Sequence, residues 1–294
     1  MTSVAVLERL SIVCPLGVRF RDEATGAYIA DSLSVVVYPA SQPELRTSGV
    51  TNSSSVFVFR NLPGLREIEN GSGDSAYWSA QTPRFDFVLE VRDRSGRYLP
   101  FRMAIQLPQR RILSIELTSP LSSPLTMQTG REEGSLPLFS SPARSAIDGM
   151  GVLRAALIDA GTQMPAAWAL VEARAGEQRL VTGLADREGR VMLPLFYPKP
   201  VITLGSPGTS NIPLTQQTWA VDFTVRYRRR EPAPEIPDLV DVLTQPAATA
   251  WEQTSPLTQW TRATLQFGRE LRLATASGGA GTTTLLITPA GSPP

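Results

Sequence analysis

The sequence contains no histidine, only one cysteine and only one lysine, Lys199. Without histidine, a Ser-His-Asp or Cys-His arrangement and a histidine-bearing metal site are both excluded. The single cysteine, Cys14, excludes a disulfide framework and a thiolate metal cage, and its apolar neighbours favour a buried, inert thiol. We therefore expect no metal and no cofactor.

Long apolar runs are missing too. No stretch approaches the roughly 18 uninterrupted apolar residues of a membrane span, and the N-terminal segment carries Glu8 and Arg9 in mid-run, unlike a signal peptide. With 28 basic and 27 acidic residues the net charge is +1, so no overall field attracts nucleic acid or an anionic membrane. We expect a protein that assembles in the cytoplasm, with no nucleic-acid partner and no direct membrane insertion.

Proline and glycine, by contrast, are abundant and are spread between short alternating apolar segments. That pattern is typical of many strands joined by turns. It predicts an all-β protein with two tandem Ig-like antiparallel β-sandwich domains, at 1–118 and 150–288. The Ser- and Pro-rich stretch 119–149 predicts a linker, and residues 289–294 predict a tail.

Individual elements of these domains are also predicted. The turn Asp93-Arg94-Ser95-Gly96 lies between strands at 85–92 and 97–106, and a similar turn begins at Asp186. Further strands are predicted at 166–174, with Trp168 inside it, and at 217–228, which alternates with period two. One short helix is predicted near 237–244, because Pro237 and Asp238 suit a helix start.

A long loop at 66–83 follows the Pro63-Gly64 turn and contains the adjacent pair Tyr77 and Trp78. The pair either caps the open end of its own sandwich or anchors a partner, since tyrosine and tryptophan dominate interface hot spots. The same loop contains acidic residues, and a pair of carboxylates can hydrolyse glycosides. Ordinary solvated side chains are the favoured interpretation, because nothing nearby raises the pKa of one carboxyl group selectively. These acidic residues are Glu67, Glu69 and Asp74.

An arginine run follows the 217–228 strand. It lacks the broad basic face and interleaved aromatics of a nucleic-acid site, so a strand end in solvent or against an acidic partner is the favoured interpretation. Apolar residues in the linker also have the character of contact residues. The predicted interaction residues are Arg66, Tyr77, Trp78, Leu136, Phe139, Arg228, Arg229 and Arg230.

Two short motifs in residues 16–65 carry a resemblance to a known family. Asp22, Thr25 and Gly26 form a D-x-x-T-G turn before a strand, and a later strand ends in a motif at 59–64 that contains Leu-Pro-Gly. This arrangement resembles the carboxypeptidase-regulatory-like, CNA-B or transthyretin-like β-sandwich. Residues 151–196 look like a looser second copy. The usual tyrosine after Pro-Gly is absent, and Leu65 stands there instead.

Taken over residues 16–200, the chain also resembles an uncharacterised protein type associated with gene clusters of phage-tail-like contractile injection systems. The resemblance implies a non-enzymatic structural component near the cap or terminator, or in the baseplate. It implies a symmetric multi-copy ring in contact with terminator, sheath or tube proteins, in a particle that is released or membrane-anchored. The alternatives are a carbohydrate- or peptide-binding adhesion module and, third, a carboxylate hydrolase.

Overall fold

The computed structural model describes residues 13–71, 73, 76, 78, 83–115, 134–200, 213–254, 256–277, 280–281 and 283–289. Nearly all of the regular structure in these residues is β-strand, and most strand pairs are antiparallel. The predicted all-β class is confirmed. The number of domains and their boundaries stay a prediction.

Nine strands precede residue 140 and form two sheets. The first sheet has the order β2-β1-β6-β5, with β9 paired in parallel with β1, and the second has the order β4-β3-β7-β8. The strands are β1 (Gly17–Asp22), β2 (Tyr28–Ile29), β3 (Leu33–Pro39), β4 (Thr47–Ser48), β5 (Val50–Thr51), β6 (Val56–Val58), β7 (Phe85–Asp93), β8 (Phe101–Leu107) and β9 (Leu136–Leu138).

Twelve further strands form one large sheet. Its central path has the order β12-β11-β14-β15-β21-β10-β13, and shorter strands attach to β10, β14 and β15. The strands are β10 (Met150–Asp159), β11 (Leu170–Ala175), β12 (Val181–Leu184), β13 (Arg190–Phe196), β14 (Thr218–Arg226), β15 (Ala247–Thr254), β16 (Leu257–Gln259), β17 (Arg262–Gln266), β18 (Leu271–Leu273), β19 (Ala276–Ser277), β20 (Ala280–Gly281) and β21 (Leu285–Pro289).

The period-two alternation of the sequence explains which faces are buried. In β8, Phe101, Met103 and Ile105 are buried while the residues between them are exposed. In β14, Val221 and Phe223 are buried on one face. Because successive side chains of a strand point to opposite faces, one face of β8 and of β14 packs in a core and the other is more exposed to water. Strands β9 and β12 are buried on both faces.

Two short α-helices and one 3-10 helix complete the described elements. Helix α2 (Leu239–Leu243) begins where the sequence predicts, because the Asp238 carboxylate accepts hydrogen bonds from the Val240 and Asp241 N–H groups at 3.0 and 3.1 Å. Helix α1 (Arg66–Glu69) lies inside the predicted 66–83 loop. Four residues are too few to show a helical period, so the sequence did not reveal it. The 3-10 helix spans Leu214–Gln216.

Two other local predictions differ from the structure. The strand predicted at 166–174 begins only at Leu170, because Trp168 has a φ of +61° and its indole N–H donates to the Pro234 carbonyl at 3.0 Å. The predicted linker contributes β9, whose side chains are buried beside β1. Residues 119–133 of the predicted linker lie outside the described residues.

Buried apolar residues form two clusters. One fills the second half around β10, β11, β13 and β14. The other lies between the two sheets of the first half, but it also receives apolar residues from beyond residue 150. These additional members are Ala167, Trp168, Leu170, Leu184, Leu239, Val242 and Leu243. Helix α2 therefore packs on the first cluster rather than on the large sheet.

Candidate functional site

The Asp22 carboxylate closes the turn that follows β1. It accepts hydrogen bonds from the Ala24 N–H and the Thr25 hydroxyl, each at 2.9 Å, and it binds both terminal nitrogens of Arg144 at 3.1 and 2.7 Å. Burial alone would raise the pKa of Asp22, but these donors together hold it below its ordinary value. Burial and the nearby Asp22 raise the pKa of Tyr98 to about 12. This arrangement is structural, because every contact fixes the turn.

Three more aspartates at strand ends repeat this arrangement. Each accepts at least one backbone N–H of the turn that it begins, and each also binds an arginine of this chain. The pairs are Asp93 with Arg97 at 3.5 Å, Asp159 with Arg229 at 2.8 Å, and Asp186 with Arg190 at 2.8 Å. Several arginines therefore pair with aspartates of the same chain.

The two described acidic residues of the 66–83 region, Glu67 and Glu69, do not form a matched pair. The buried Glu69 carboxylate accepts hydrogen bonds from the Asn61 and Leu62 N–H groups at 3.0 and 3.1 Å, while Glu67 is exposed. Asp74 lies outside the described residues. Glu69 thus has a local structural role, which is to hold the turn before α1.

Two absences are established for the part of the chain that the structure describes. It brings together no group of three acidic, cysteine or histidine side chains suited to a metal ion. None of its helices is long and apolar enough to cross a bilayer. Cys14, predicted to be buried, is half-buried, and its thiol donates to the Leu16 carbonyl at 3.0 Å.

The predicted interaction residues near the loop and linker lie in different environments. Arg66 is exposed at the start of α1, and Trp78 is half-buried. Tyr77 lies outside the described residues. Leu136 and Phe139 are packed inside the first cluster, because β9 pairs with β1. Their side chains therefore contact the core of this chain.

The three remaining predicted residues, Arg228, Arg229 and Arg230, follow β14. The guanidinium groups of Arg228 and Arg230 share the Asp241 carboxylate, each at 2.7 Å. Arg229 binds Asp159 and approaches Glu231 at 3.9 Å. The run is therefore neutralised largely by carboxylates of the same chain.

A cleft of about 680 Å³ opens beside this run, and we name it the Arg187 cleft. Its lining includes the exposed side chain of Met164 together with Pro165 and Pro232. Three arginines and one glutamate provide its charges: Arg187, Arg229, Arg230 and Glu231. Sequence reasoning missed Arg187, which lies in the predicted turn after Asp186. No signal in the sequence distinguishes it, because its lack of a partner depends on the fold.

Three short strands at sheet edges expose a large apolar side chain. Among the described residues, β2, β5 and β16 each pair with a single strand. Tyr28 in β2 is 48% exposed, Val50 in β5 is 68% exposed and Leu257 in β16 is 52% exposed. Tyr28, Val50 and Leu257 were not among the predicted interaction residues.

A group of aromatic side chains is half-exposed at another surface. The ring centroids of Tyr197 and Trp219 are 5.4 Å apart, and those of Tyr197 and Phe267 are 4.8 Å apart. The Tyr197 hydroxyl accepts the Gly268 N–H at 2.9 Å, which orients that ring.

Comparisons with known proteins give little beyond this geometry. No family model matches the chain, and no curated protein matches it. Among solved structures, a mutant of the shaft pilin SpaA from Lactobacillus rhamnosus GG aligns with 95% of this chain and 98% of the pilin chain, at 9% identity and a TM-score of 0.20. A TM-score this low does not establish a shared fold or function.

Proposed function

We propose that this chain is a non-enzymatic structural protein that docks onto other protein chains. The observation that carries the proposal is the exposed apolar side chain on each of the edge strands β2, β5 and β16. Natural proteins usually protect such edges with charge or proline, because an unpaired edge accepts another strand. Tyr28, Val50 and Leu257 provide apolar contacts at these edges.

The more specific proposal is a place in a phage-tail-like contractile injection particle, near the cap or terminator or in the baseplate. It is supported by the resemblance of residues 16–200 and by the structural use of the aspartates, which favours a scaffold over a catalyst. A component repeated around a ring needs surfaces for its neighbours. The neighbours would be terminator, sheath or tube proteins.

The test replaces Tyr28, Val50 and Leu257 together with lysine in the organism that makes the protein. A lysine on an edge strand opposes strand addition. The wild-type chain is expected to elute in a complex with a mass well above its own 31.9 kDa, together with sheath or tube proteins. The triple variant is expected to elute mainly as the free chain.

Ser48→Lys is the matched control, because Ser48 is an exposed polar residue on the edge strand β4. It adds one lysine to an edge strand without removing an apolar contact, so assembly should be retained. A wild-type chain that elutes alone, or a triple variant that assembles normally, contradicts docking through these edges. A complex that lacks sheath and tube proteins contradicts only the injection particle.

The half-exposed aromatic group favours a second candidate, the carbohydrate-binding module. Aromatic faces stack on apolar faces of ligands, and Tyr197, Trp219 and Phe267 meet at one surface. A glycan array with the wild type and Trp219→Ala distinguishes the candidates. Binding that the substitution abolishes supports the module, and no glycan bound by the wild type rejects it.

A further inference from the structure

Among the described residues, Arg187 is the one arginine of the Arg187 cleft that pairs with no carboxylate. Arg229 is bound by Asp159, and Arg230 is bound by Asp241. The acidic neighbours of Arg187 in the chain are engaged elsewhere, since Arg190 binds both Asp186 and Glu188. Across the described residues, Arg187 makes no hydrogen bond or ion pair, and it is exposed.

The turn that presents Arg187 is fixed in place. The Asp186 carboxylate accepts the Glu188 and Arg190 N–H groups at 3.0 and 2.8 Å, and the Gly189 N–H donates to the Asp186 carbonyl at 3.0 Å. The backbone on both sides of Arg187 is therefore held before any ligand arrives. A preorganised group loses less entropy when it binds.

The Arg230 side chain, which also lines the cleft, is held by hydrogen bonds as well. Arg230 donates to Asp241 at 2.7 Å and to the Gln245 side-chain carbonyl at 3.1 Å, and Gln245 in turn donates to the Trp168 carbonyl at 2.9 Å. The Nη2 atom of Arg230 is buried and has no hydrogen-bond partner in the described part of the chain. One donor beside the cleft is thus unsatisfied.

The apolar lining decides what kind of anion suits the cleft. Met164 is 62% exposed, and Pro165, Pro232 and Ala233 lie along the same walls. A free inorganic anion would bind the guanidinium and leave these apolar walls exposed to water. A carboxylate with an apolar neighbour in the same chain would use both, because a planar guanidinium binds a carboxylate with two parallel hydrogen bonds.

A second groove, of about 370 Å³, is a weaker candidate. Its arginines are all paired within the chain: Arg154 with Glu270 at 3.2 Å, Arg272 with Glu270 at 2.7 Å and Arg190 with Asp186 at 2.8 Å. Each of its arginines already has a carboxylate partner among the described residues, so it serves as an internal control.

We propose that the Arg187 cleft binds an acidic segment of a partner protein, with a carboxylate on Arg187 and an adjacent apolar side chain against Met164. The inference rests on the proposed docking function and names the chemistry of one contact. Charge complementarity and the apolar walls identify the occupant as a peptide segment rather than a nucleic acid.

The first experiment compares Arg187→Glu with Arg272→Glu in the organism that makes the protein. Both exchange an exposed arginine for glutamate, but only Arg187 lies in the proposed cleft. Recovery of the partner protein with the chain is expected to fall at least about tenfold for Arg187→Glu, the effect of losing one charge-assisted pair. For Arg272→Glu it is expected to change less than about twofold, as for a surface ion pair.

The second experiment identifies the occupant. A photoreactive benzophenone amino acid at Thr162, which lines the cleft, is expected to cross-link to a partner segment rich in aspartate or glutamate, and Arg187→Glu should remove that cross-link. A cross-link to nucleic acid, to a segment without acidic residues, or to nothing overturns the inference.

The two proposals fail in different ways. A wild-type chain that forms no complex contradicts the docking function itself. A complex that Arg187→Glu leaves as abundant as in the wild type contradicts the cleft contact alone. Because the exposed Arg187 makes no hydrogen bond or ion pair within the described residues, its substitution should leave the thermal unfolding midpoint unchanged, which excludes misfolding as the cause of a loss.

Discussion

At the scale of single residues, the Asp22 carboxylate depends on Arg144. The Asp22 side chain is 1% exposed and that of Arg144 is 12% exposed. Removing one partner of a buried pair leaves an uncompensated charge, so Arg144→Ala should lower the free energy of unfolding by about 3 kcal/mol. Urea denaturation at neutral pH measures the change.

The matched control is Arg272→Ala, which removes an 80% exposed guanidinium from Glu270. An exposed pair of this kind contributes less than about 1 kcal/mol. Equal losses for the two variants would show that burial does not set the value of the Asp22 pair.

A second residue-scale prediction concerns the buried Glu172, whose pKa is raised by burial despite Arg226 and the Thr224 hydroxyl. Because the pKa of Glu172 is raised in the folded state, Glu172 contributes its full stabilisation at pH values below 4.5, which is the pKa of the side chain in the unfolded state. The contribution is lost as the pH rises through the folded value. Glu172→Gln should therefore raise the free energy of unfolding at neutral pH.

Denaturation of both proteins near neutral pH and at about pH 4 checks this dependence. At acidic pH the glutamate is protonated, so the two proteins should be nearly equal in stability. Asp22→Asn should show the opposite pattern and be less stable than the wild type at neutral pH, because the pKa of Asp22 is lowered. Its stabilisation is lost only as the pH falls below 3.8, so this pair is also compared at about pH 2. A Glu172→Gln variant that is less stable than the wild type at neutral pH contradicts the prediction.

At the scale of elements, the two Asp-Arg-X-Gly turns form a natural comparison. Gly96 has a φ of +70° and no atom within 4 Å of an added Cβ, whereas Gly189 has a φ of +74° and its Cβ would lie 2.4 Å from the Leu157 carbonyl oxygen. Gly96→Ala should cost about 1 kcal/mol for the left-handed backbone alone. Gly189→Ala should cost at least about 3 kcal/mol, because the clash with backbone is added.

Thermal and urea unfolding of both variants check the difference. The two turns have Asp, Arg and Gly at equal positions, so the cost of a left-handed backbone for alanine is the same in both. The difference between the two losses of stability therefore measures the clash with the Leu157 carbonyl. Similar costs for the two variants would mean that β10 moves away from the turn at little expense.

Local patterns in the sequence predicted these turns and the alternating strands β8 and β14 well. Both kinds of element are encoded by residues close together in sequence. A turn depends on its own residue types, and a half-buried strand depends on apolar residues at every second position. The strand after Asp93 begins later than predicted, at Phe101 rather than at residue 97, because Tyr98 pairs with Ser140 instead of with β7. The position of β9 beside β1 had no local signal either, since three buried apolar residues fit any covered surface.

The candidate site was predicted only in part, for a related reason. The arginine run after β14 was recognised as a charged surface, but Asp159 and Asp241, which neutralise it, are distant in sequence. Arg187 was missed because an unpaired arginine and a paired one look the same in a sequence. The partners of a charge are set by tertiary structure.

At the scale of the whole molecule, the first cluster joins distant parts of the chain. Leu239 of α2 is fully buried among residues of the first two sheets, and the β8 residue Arg102 donates its N–H to the Pro237 carbonyl at 2.9 Å. Leu239→Ala should therefore destabilise β8 by about 2–4 kcal/mol, as for a large-to-small change in a core.

Hydrogen exchange of peptides from β8 measures this effect. Leu273→Ala, in the second cluster, is the control and should act mainly on β10 and β18. If exchange in β8 is unchanged by Leu239→Ala, the two halves of the chain unfold independently.

The place of β21 has a consequence for biosynthesis. Leu285–Pro289 lies between β10 and β15 and pairs with both, so the largest sheet stays open until residue 289 has left the ribosome. During translation β10 and β15 each present a vacant edge, and pairing across such a sequence distance is slow. A nascent chain of this protein therefore has its greatest need for a chaperone in the interval before residues 285–289 emerge from the ribosome.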